Sequence, residues 1–321
     1  MDERMEARLL ERLRLGMAIL KIVMTPMCLP IYALLLWIFI TKPDFKNLIV
    51  YKLIVSLGLM DCLYLLESLT SGILTLFWPR LWDEYLAIED GVMHTAAKVV
   101  SCARNGHLLA VPLLSFTLAV NRFSVMLGIK ASVFRNRCYM LVICFAWFLF
   151  IPLMLILHFF VPSITFDFAI DGFAYEAPMF FQYILGYGGS ILETGGFCCT
   201  FGIVVTILVQ KRIYGSNFKV SPLELRLILQ SLLICVPLSI VTISGLLFSD
   251  QLDQIPWFHT AWHGLSTVIP AINLVVYLAF NPLARGHIGK TLLGKGGHKT
   301  TMVQTISAKS SISRVVVSKM C

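Results

Sequence analysis

The chain has 321 residues, 58% of them hydrophobic and 14% charged, and its mean hydropathy is +0.81. Soluble domains carry charge on roughly a quarter of their residues, so this composition excludes an ordinary soluble domain and implies a polytopic helical protein whose partner is the lipid bilayer. The net charge of +8 gathers on one side of the predicted membrane, which argues for topology and against nucleic acid.

A span needs about 20 apolar residues to cross about 30 Å of hydrocarbon, and seven such runs with their loops consume the chain. Residues 1–15 are a charged, helix-prone tail, with Asp2, Glu3, Glu6 and Glu11 against Arg4, Arg8, Arg12 and Arg14. The apolar run that follows is too long for a cleaved signal peptide and lacks a small-residue cleavage site. The first predicted span is Gly16–Ile40, with Pro26 and Pro30 inside and Lys21 near one end, where its amine is expected to snorkel to the headgroups. The second, Leu48–Phe77, carries Asp61 and Glu67. A charged connection leads to the third, which starts at Ala96 and ends in Asn121-Arg122-Phe123. The loop Ser124–Arg137 is basic, and the fourth span, Cys138–Val161, holds Trp147 and Pro152. Residues 162–179 contain Asp167, Asp171 and Glu176 and no basic residue. The fifth span, Phe180–Val209, has Glu193 inside; the sixth, Glu224–Phe248, has Pro237; the seventh is Phe258–Phe280. A short surface helix and a flexible, hydroxyl-rich tail are expected over 281–321.

The nine cysteines make no disulfide framework. Most fall in apolar runs as small packing residues, and Cys102, near the outer end of the third span, has no cysteine in the later outer loops to pair with. Lysine and arginine in short loops set orientation. Lys42, Lys46, Lys52, Arg122, Lys130, Arg135, Arg137, Lys211, Arg212, Lys219 and Arg226 and the basic tail share one side, which is therefore the expected cytosolic side. The N-terminus is then outside and the C-terminus inside.

An ionisable group at mid-membrane costs on the order of 3 kcal/mol, so each one needs a reason. Asp61 lies about 20 Å into its span at about 1.5 Å per residue and should face the bundle interior. It either holds a cation, takes part in a polar switch with Asn273, or is a protonated structural carboxyl. Glu67 and Glu193 either line an outer ligand cavity or sit protonated between helices. Arg104, about 27 Å up the helix from Arg122, is either an interface anchor or a cationic floor for an anionic ligand group. His259 and His263 share a helix face, but two ligands are too few for a metal site. No metal or cofactor is expected. The chain lacks a His-Glu-x-x-His pattern, a Gly-rich phosphate loop and a Gly-x-Ser-x-Gly turn, so it does not read as an enzyme. The seventh span has no lysine for a retinal Schiff base.

Over Gly16 to about Lys290 the arrangement resembles a G-protein-coupled receptor. Ser56-Leu57-Gly58-Leu59-Met60-Asp61 is similar to the rhodopsin-like second-helix motif, Asn121-Arg122-Phe123 to the Asp-Arg-Tyr motif, and Asn273-Leu274-Val275-Val276-Tyr277 to Asn-Pro-x-x-Tyr. Trp147 and Pro237 match the fourth-helix tryptophan and the sixth-helix proline. Asn121 replaces the aspartate that restrains the arginine, Leu274 replaces proline, and Cys235 stands where the family has a toggle tryptophan. This divergent set most resembles the nematode serpentine chemoreceptors. The resemblance implies an all-α membrane protein: a seven-transmembrane helix bundle over 16–280, an extracellular tail over 1–15, and a short amphipathic helix 8 with a flexible cytoplasmic tail over 281–321.

It also implies a small-molecule ligand in an outer cavity and a heterotrimeric G protein at the cytosolic face of the plasma membrane, in a sensory neuron or its cilia. Asn121, Arg122, Phe123, Pro237, Asn273 and Tyr277 would serve coupling, Asp61 and Asn273 a polar hinge, and Arg104, Glu67 and Glu193 the ligand cavity. The alternative is a multi-pass transporter or ligand-gated channel with a polar path through Asp61, Glu67 and Glu193; the absence of an internal repeat counts against a repeat-built transporter.

Overall fold

The computed structural model describes residues 3–81, 92–127, 133–160, 165–167, 172–174, 183–214, 222–248 and 255–293. Seven of its helices are long and apolar enough to cross a membrane. They are Glu3–Thr41, Ile49–Leu81, Val92–Met126, Val133–Phe160, Gly189–Tyr214, Pro222–Leu247 and Pro256–Phe280, here the first to seventh spans. In hydrocarbon only closed hydrogen-bonding structures are tolerated, and helices meet that condition within one segment. The protein is therefore a helical multi-pass membrane protein.

Several features depart from a plain run of seven helices. The first helix already begins at Glu3, ahead of the apolar run. Residues 3–15 are rich in Met, Ala, Leu, Glu and Arg, all strong helix formers, with no Gly or Pro before Gly16. A one-turn helix, Pro43–Lys46, joins the first two spans, with Pro43 entering after an extended Lys42. Thr165–Asp167 and Gly172–Ala174 form an antiparallel hairpin, with Phe166 opposite Phe173. This pair of three-residue strands lies between spans and leaves the all-α membrane fold unchanged; open strand edges are not tolerated within hydrocarbon. The fifth span is entered through a π-helical turn, Ile184–Gly188.

The exterior is far more apolar than that of a soluble protein, and the interior holds polar groups as well as an apolar core. Trp37, Phe148, Phe159, Ile191, Phe201, Leu208, Ile240 and Val275 point outward, where lipid tails replace water. Lys21, Asp61, Arg104, Asn105, His107, Arg122, Glu193 and Asn273 are buried between helices, as the cost of a charge in hydrocarbon requires. The buried apolar cluster is formed mostly by the first, second, third, fourth and seventh spans. Tyr32, Phe39, Leu53, Met60, Leu114 and Tyr277 lie in it.

Because lipid tails are as apolar as leucine, helices associate through close packing at small residues. A methyl at Gly72 would come within 2.9 Å of the Ala18 carbonyl oxygen, and one at Gly189 would overlap that of Leu108. The first span can thus approach the second, and the fifth the third, only at glycine.

The seventh span ends cleanly. Arg285 donates to the Leu278 and Ala279 carbonyls, which have lost their helical partners. Asn281 then caps the surface helix Pro282–Leu293: its Oδ1 accepts from the Ala284 amide at 3.1 Å, with Pro282 in the first helical position. Ala284 is buried and Ile288 packs on the core, while Arg285 and Lys290 are exposed.

Candidate functional site: three polar layers between the helices

The middle layer is built on Asp61. Asn273 Nδ2 of the seventh span donates to Asp61 Oδ2 at 3.1 Å. Tyr32 of the first span places its hydroxyl 2.7 Å from the same oxygen and 2.8 Å from the Pro270 carbonyl oxygen. That hydroxyl has one proton and two oxygens to serve. A proton on Asp61 allows both contacts at once, the acid donating to Tyr32 and Tyr32 to Pro270. An ionised Asp61 instead accepts the hydrogen bond of the tyrosine hydroxyl, which then has no proton left for Pro270. The layer therefore joins three spans through one carboxyl group.

The next layer is centred on Glu67. His107 Nε2 lies 2.8 Å from the Met60 carbonyl oxygen, which can only accept, so Nε2 carries a hydrogen. Its Nδ1 lies 3.1 Å from Glu67 Oε1 and 3.3 Å from the Ala103 carbonyl oxygen. The Glu67 contact is close enough for an ion pair, yet neither Glu67 oxygen has a hydrogen bond of good geometry. We read it as a charge contact. Phe150 and Tyr64 pack edge-on against the imidazole. Tyr64 Oη and Ser266 Oγ, 3.0 Å apart, tie the second span to the seventh. Lys21, Tyr64, Glu67 and Arg104 surround a cavity of about 10 Å³, the size for a water molecule.

Lys21 corrects an expectation. It does not snorkel: it is buried, and its Nζ donates to Ser71 Oγ at 3.3 Å. The close approach of the first two helices at Gly72 leaves the amine between them rather than at the rim. Glu193 stands apart from Glu67 and Arg104. It is buried against the sixth span, where Ser239 Oγ lies 3.5 Å from its backbone oxygen, and its Oε1 has no hydrogen bond. The side chains of His259 and His263 lie outside those described, as do residues 82–91, 249–254 and 294–321.

The inner layer differs in kind. Arg122 is buried, and its electrostatic neighbour is the Tyr51 phenol rather than a carboxylate. Arg122 Nε and Asn121 Oδ1 are buried without a hydrogen-bond partner among the described residues; so, in the middle layer, are Asn273 Oδ1 and the hydroxyl of Tyr277, whose electrostatic neighbour is Asp61. Tyr51 Oη accepts from Asn281 Nδ2 at 3.2 Å, which links the second span to the end of the seventh. Phe123 packs toward the fifth span, so close that a Cβ at Gly202 would come within 3.2 Å of its ring. Pro237 lies half-buried inside the sixth helix, where it leaves one backbone carbonyl without its helical donor.

Asp61 and Asn273 stand out in the sequence as polar groups at depth, and the structure brings them together. Tyr32, Tyr51 and His107 carry as much of the polar architecture and are harder to find. The two tyrosines sit in apolar runs like any packing aromatic. His107 lies only three residues after Arg104, yet it serves the interface with the second and fourth spans. No protein-family model matches the chain, and no curated protein matches it either.

Proposed function

We propose that this protein is a seven-helix receptor that binds a small molecule from the outer side and activates a heterotrimeric G protein at its cytosolic face, in the manner of the serpentine chemoreceptors it resembles. The observation that carries this reading is the inner layer. Buried polar atoms nearly always find partners, yet Arg122 Nε and Asn121 Oδ1 have none among the described residues. A surface that must exchange internal contacts for those of a partner would be built in this way.

The sixth span fits the same mechanism. It packs chiefly between the fifth and seventh and touches the third little. Among the described residues only Ile234 of this span joins the buried apolar cluster, so moving the span disturbs that cluster little. Ligand binding must favour one of two helix arrangements to have any effect. The cavity at Glu67 and Arg104 is too small for a ligand as it stands, so the bound arrangement is the wider one. Asp61, Tyr32 and Asn273 form the hinge between the two ends.

The reading requires the basic loops to face the cytosol. The chain has no Asn-x-Ser/Thr sequon, so an introduced one reports topology without background. Glycan is expected on a variant carrying a sequon beside Asp171 and not on one carrying it beside Ser307. The reverse pattern would turn the basic loops outward and overturn G-protein coupling.

A further inference from the structure

A groove of about 350 Å³ opens on the outside of the bundle where the first, second and fourth spans meet. That volume is within the range of about 300–1,000 Å³ for small-molecule sites. Its wall is apolar: Ile40, Val55, Leu59, Met140, Ile143 and Trp147 contribute, and Ile40, Leu59 and Met140 are exposed to the surrounding lipid. The polar groups in the wall are already engaged. Trp147 Nε1 donates to Ser56 Oγ at 2.9 Å, which fixes the indole as a flat side, and Tyr51 Oη accepts from Asn281.

One end of the groove is different. Lys46 of the connecting one-turn helix and Lys52 of the second span line it, and both are exposed. No carboxylate lines the groove. The nearby Asp44 has His287 of the surface helix as its partner, 3.4 Å away. From Lys52 to Leu59 the groove runs about 10 Å along the helix, at about 1.5 Å per residue. It is thus an apolar slot with two ammonium groups at its membrane-surface end.

We propose that this groove binds an anionic phospholipid, with the headgroup phosphate held by Lys46 and Lys52 and one acyl chain lying along Leu59, Ile143 and Trp147. Charge complementarity selects the occupant. A wholly apolar or weakly polar lipid would fill the slot and leave both ammonium groups unused. A basic residue near a bilayer surface attracts anionic lipid, and two on one rim give a local site rather than a diffuse field. The groove shares Tyr51 with the inner layer but opens outward between the spans, and the proposal uses nothing of the receptor reading.

The test uses the full chain in nanodiscs of phosphatidylcholine and phosphatidylserine in equal amounts, with released lipids counted by native mass spectrometry. Phosphatidylserine is expected to be retained over phosphatidylcholine by about tenfold. The double variant Lys46→Gln, Lys52→Gln should bring that ratio close to one. Met140→Trp, which narrows the groove from its lipid-exposed edge, should reduce retention of both lipids. A matched charge removal at the end of the fifth span, Lys211→Gln with Arg212→Gln, should leave the ratio unchanged.

Equal retention by the wild-type chain would overturn the proposal. So would an equal fall in the Lys211/Arg212 variant, because the preference would then be a property of the whole basic face. If added sterol displaces phosphatidylserine while the Lys46/Lys52 variant keeps its preference, the groove belongs to a neutral lipid and the proposal fails.

Discussion

The middle and inner polar layers lie in the same helices and are equally buried, yet they are opposites. Around Asp61 nearly every strong donor has an acceptor, and three spans are held by one carboxyl group. Around Arg122 the buried Nε and the Asn121 carbonyl oxygen go without a partner among the described residues. Burying a polar group without a partner costs roughly 1–3 kcal/mol. The inner layer therefore stores destabilisation at Arg122 and Asn121, whereas in the middle layer Asn273 Oδ1 and the Tyr277 hydroxyl are exceptions within a bonded network. A satisfied network holds one arrangement in place; an unsatisfied one gains from any change that supplies partners. On the proposed receptor reading, the middle layer belongs to the frame of the bundle and the inner layer to the part that changes.

The sharpest break in this contrast is functional. With full-length chain in vesicles and added heterotrimeric G protein, Arg122→Ala should lower basal nucleotide exchange to the level of empty vesicles. Its thermal midpoint in detergent should stay near that of the parent, because no ion pair is lost. Undiminished exchange would remove Arg122 from coupling. A large fall in midpoint would mean that the inner layer is frame as well.

Asp61→Ala should do the reverse. It leaves Asn273 Nδ2 without its acceptor, frees Tyr32 from one of its two contacts, and opens a small cavity. The expected loss is about 2–4 kcal/mol of stability, read as a lower thermal midpoint in detergent. A loss below about 1 kcal/mol would show that Tyr32 and Asn273 find other partners, and the hinge would have to be sought elsewhere.

Much of the frame is legible in the sequence because hydrocarbon imposes strict rules. Twenty apolar residues in a row can hardly be anything but a span, and an aspartate in the middle of one must face inward. What stays hidden is helix rotation. Nothing local distinguishes Tyr32, which crosses to Asp61, from an aromatic that meets lipid, such as Trp37. Lys21 reads as an anchor because its distance from the span's end is visible and the helix pressed against it at Gly72 is not. His107 and Glu67 are 40 residues apart in the chain, and only the packing of the second span on the third makes them neighbours. The hairpin at 165–174 reads as an acidic loop because its strands are only three residues each. The inner layer was visible as a set of motif positions. Its lack of partners was not, since that depends on what every neighbouring helix fails to offer.

The smallest expected effect is the most discriminating, because it compares two side chains of the same kind. Tyr32 and Tyr277 are 0% and 1% exposed, and each packs its ring into the same apolar cluster. Replacing either with phenylalanine keeps the ring and removes only the hydroxyl. At Tyr32 that hydroxyl touches Asp61 and Pro270, and its loss should cost about 1–2 kcal/mol, including the harm to groups left behind. At Tyr277 the hydroxyl is buried for nothing in this arrangement. Tyr277→Phe should therefore leave the thermal midpoint unchanged or raise it slightly, since a desolvated group with no compensation is gone. If both variants lose the same stability, the Tyr277 hydroxyl has a partner after all. If Tyr277→Phe is neutral in stability yet lowers nucleotide exchange, its hydroxyl finds its partner only in the active arrangement, which is what a hydroxyl kept at a stability cost requires.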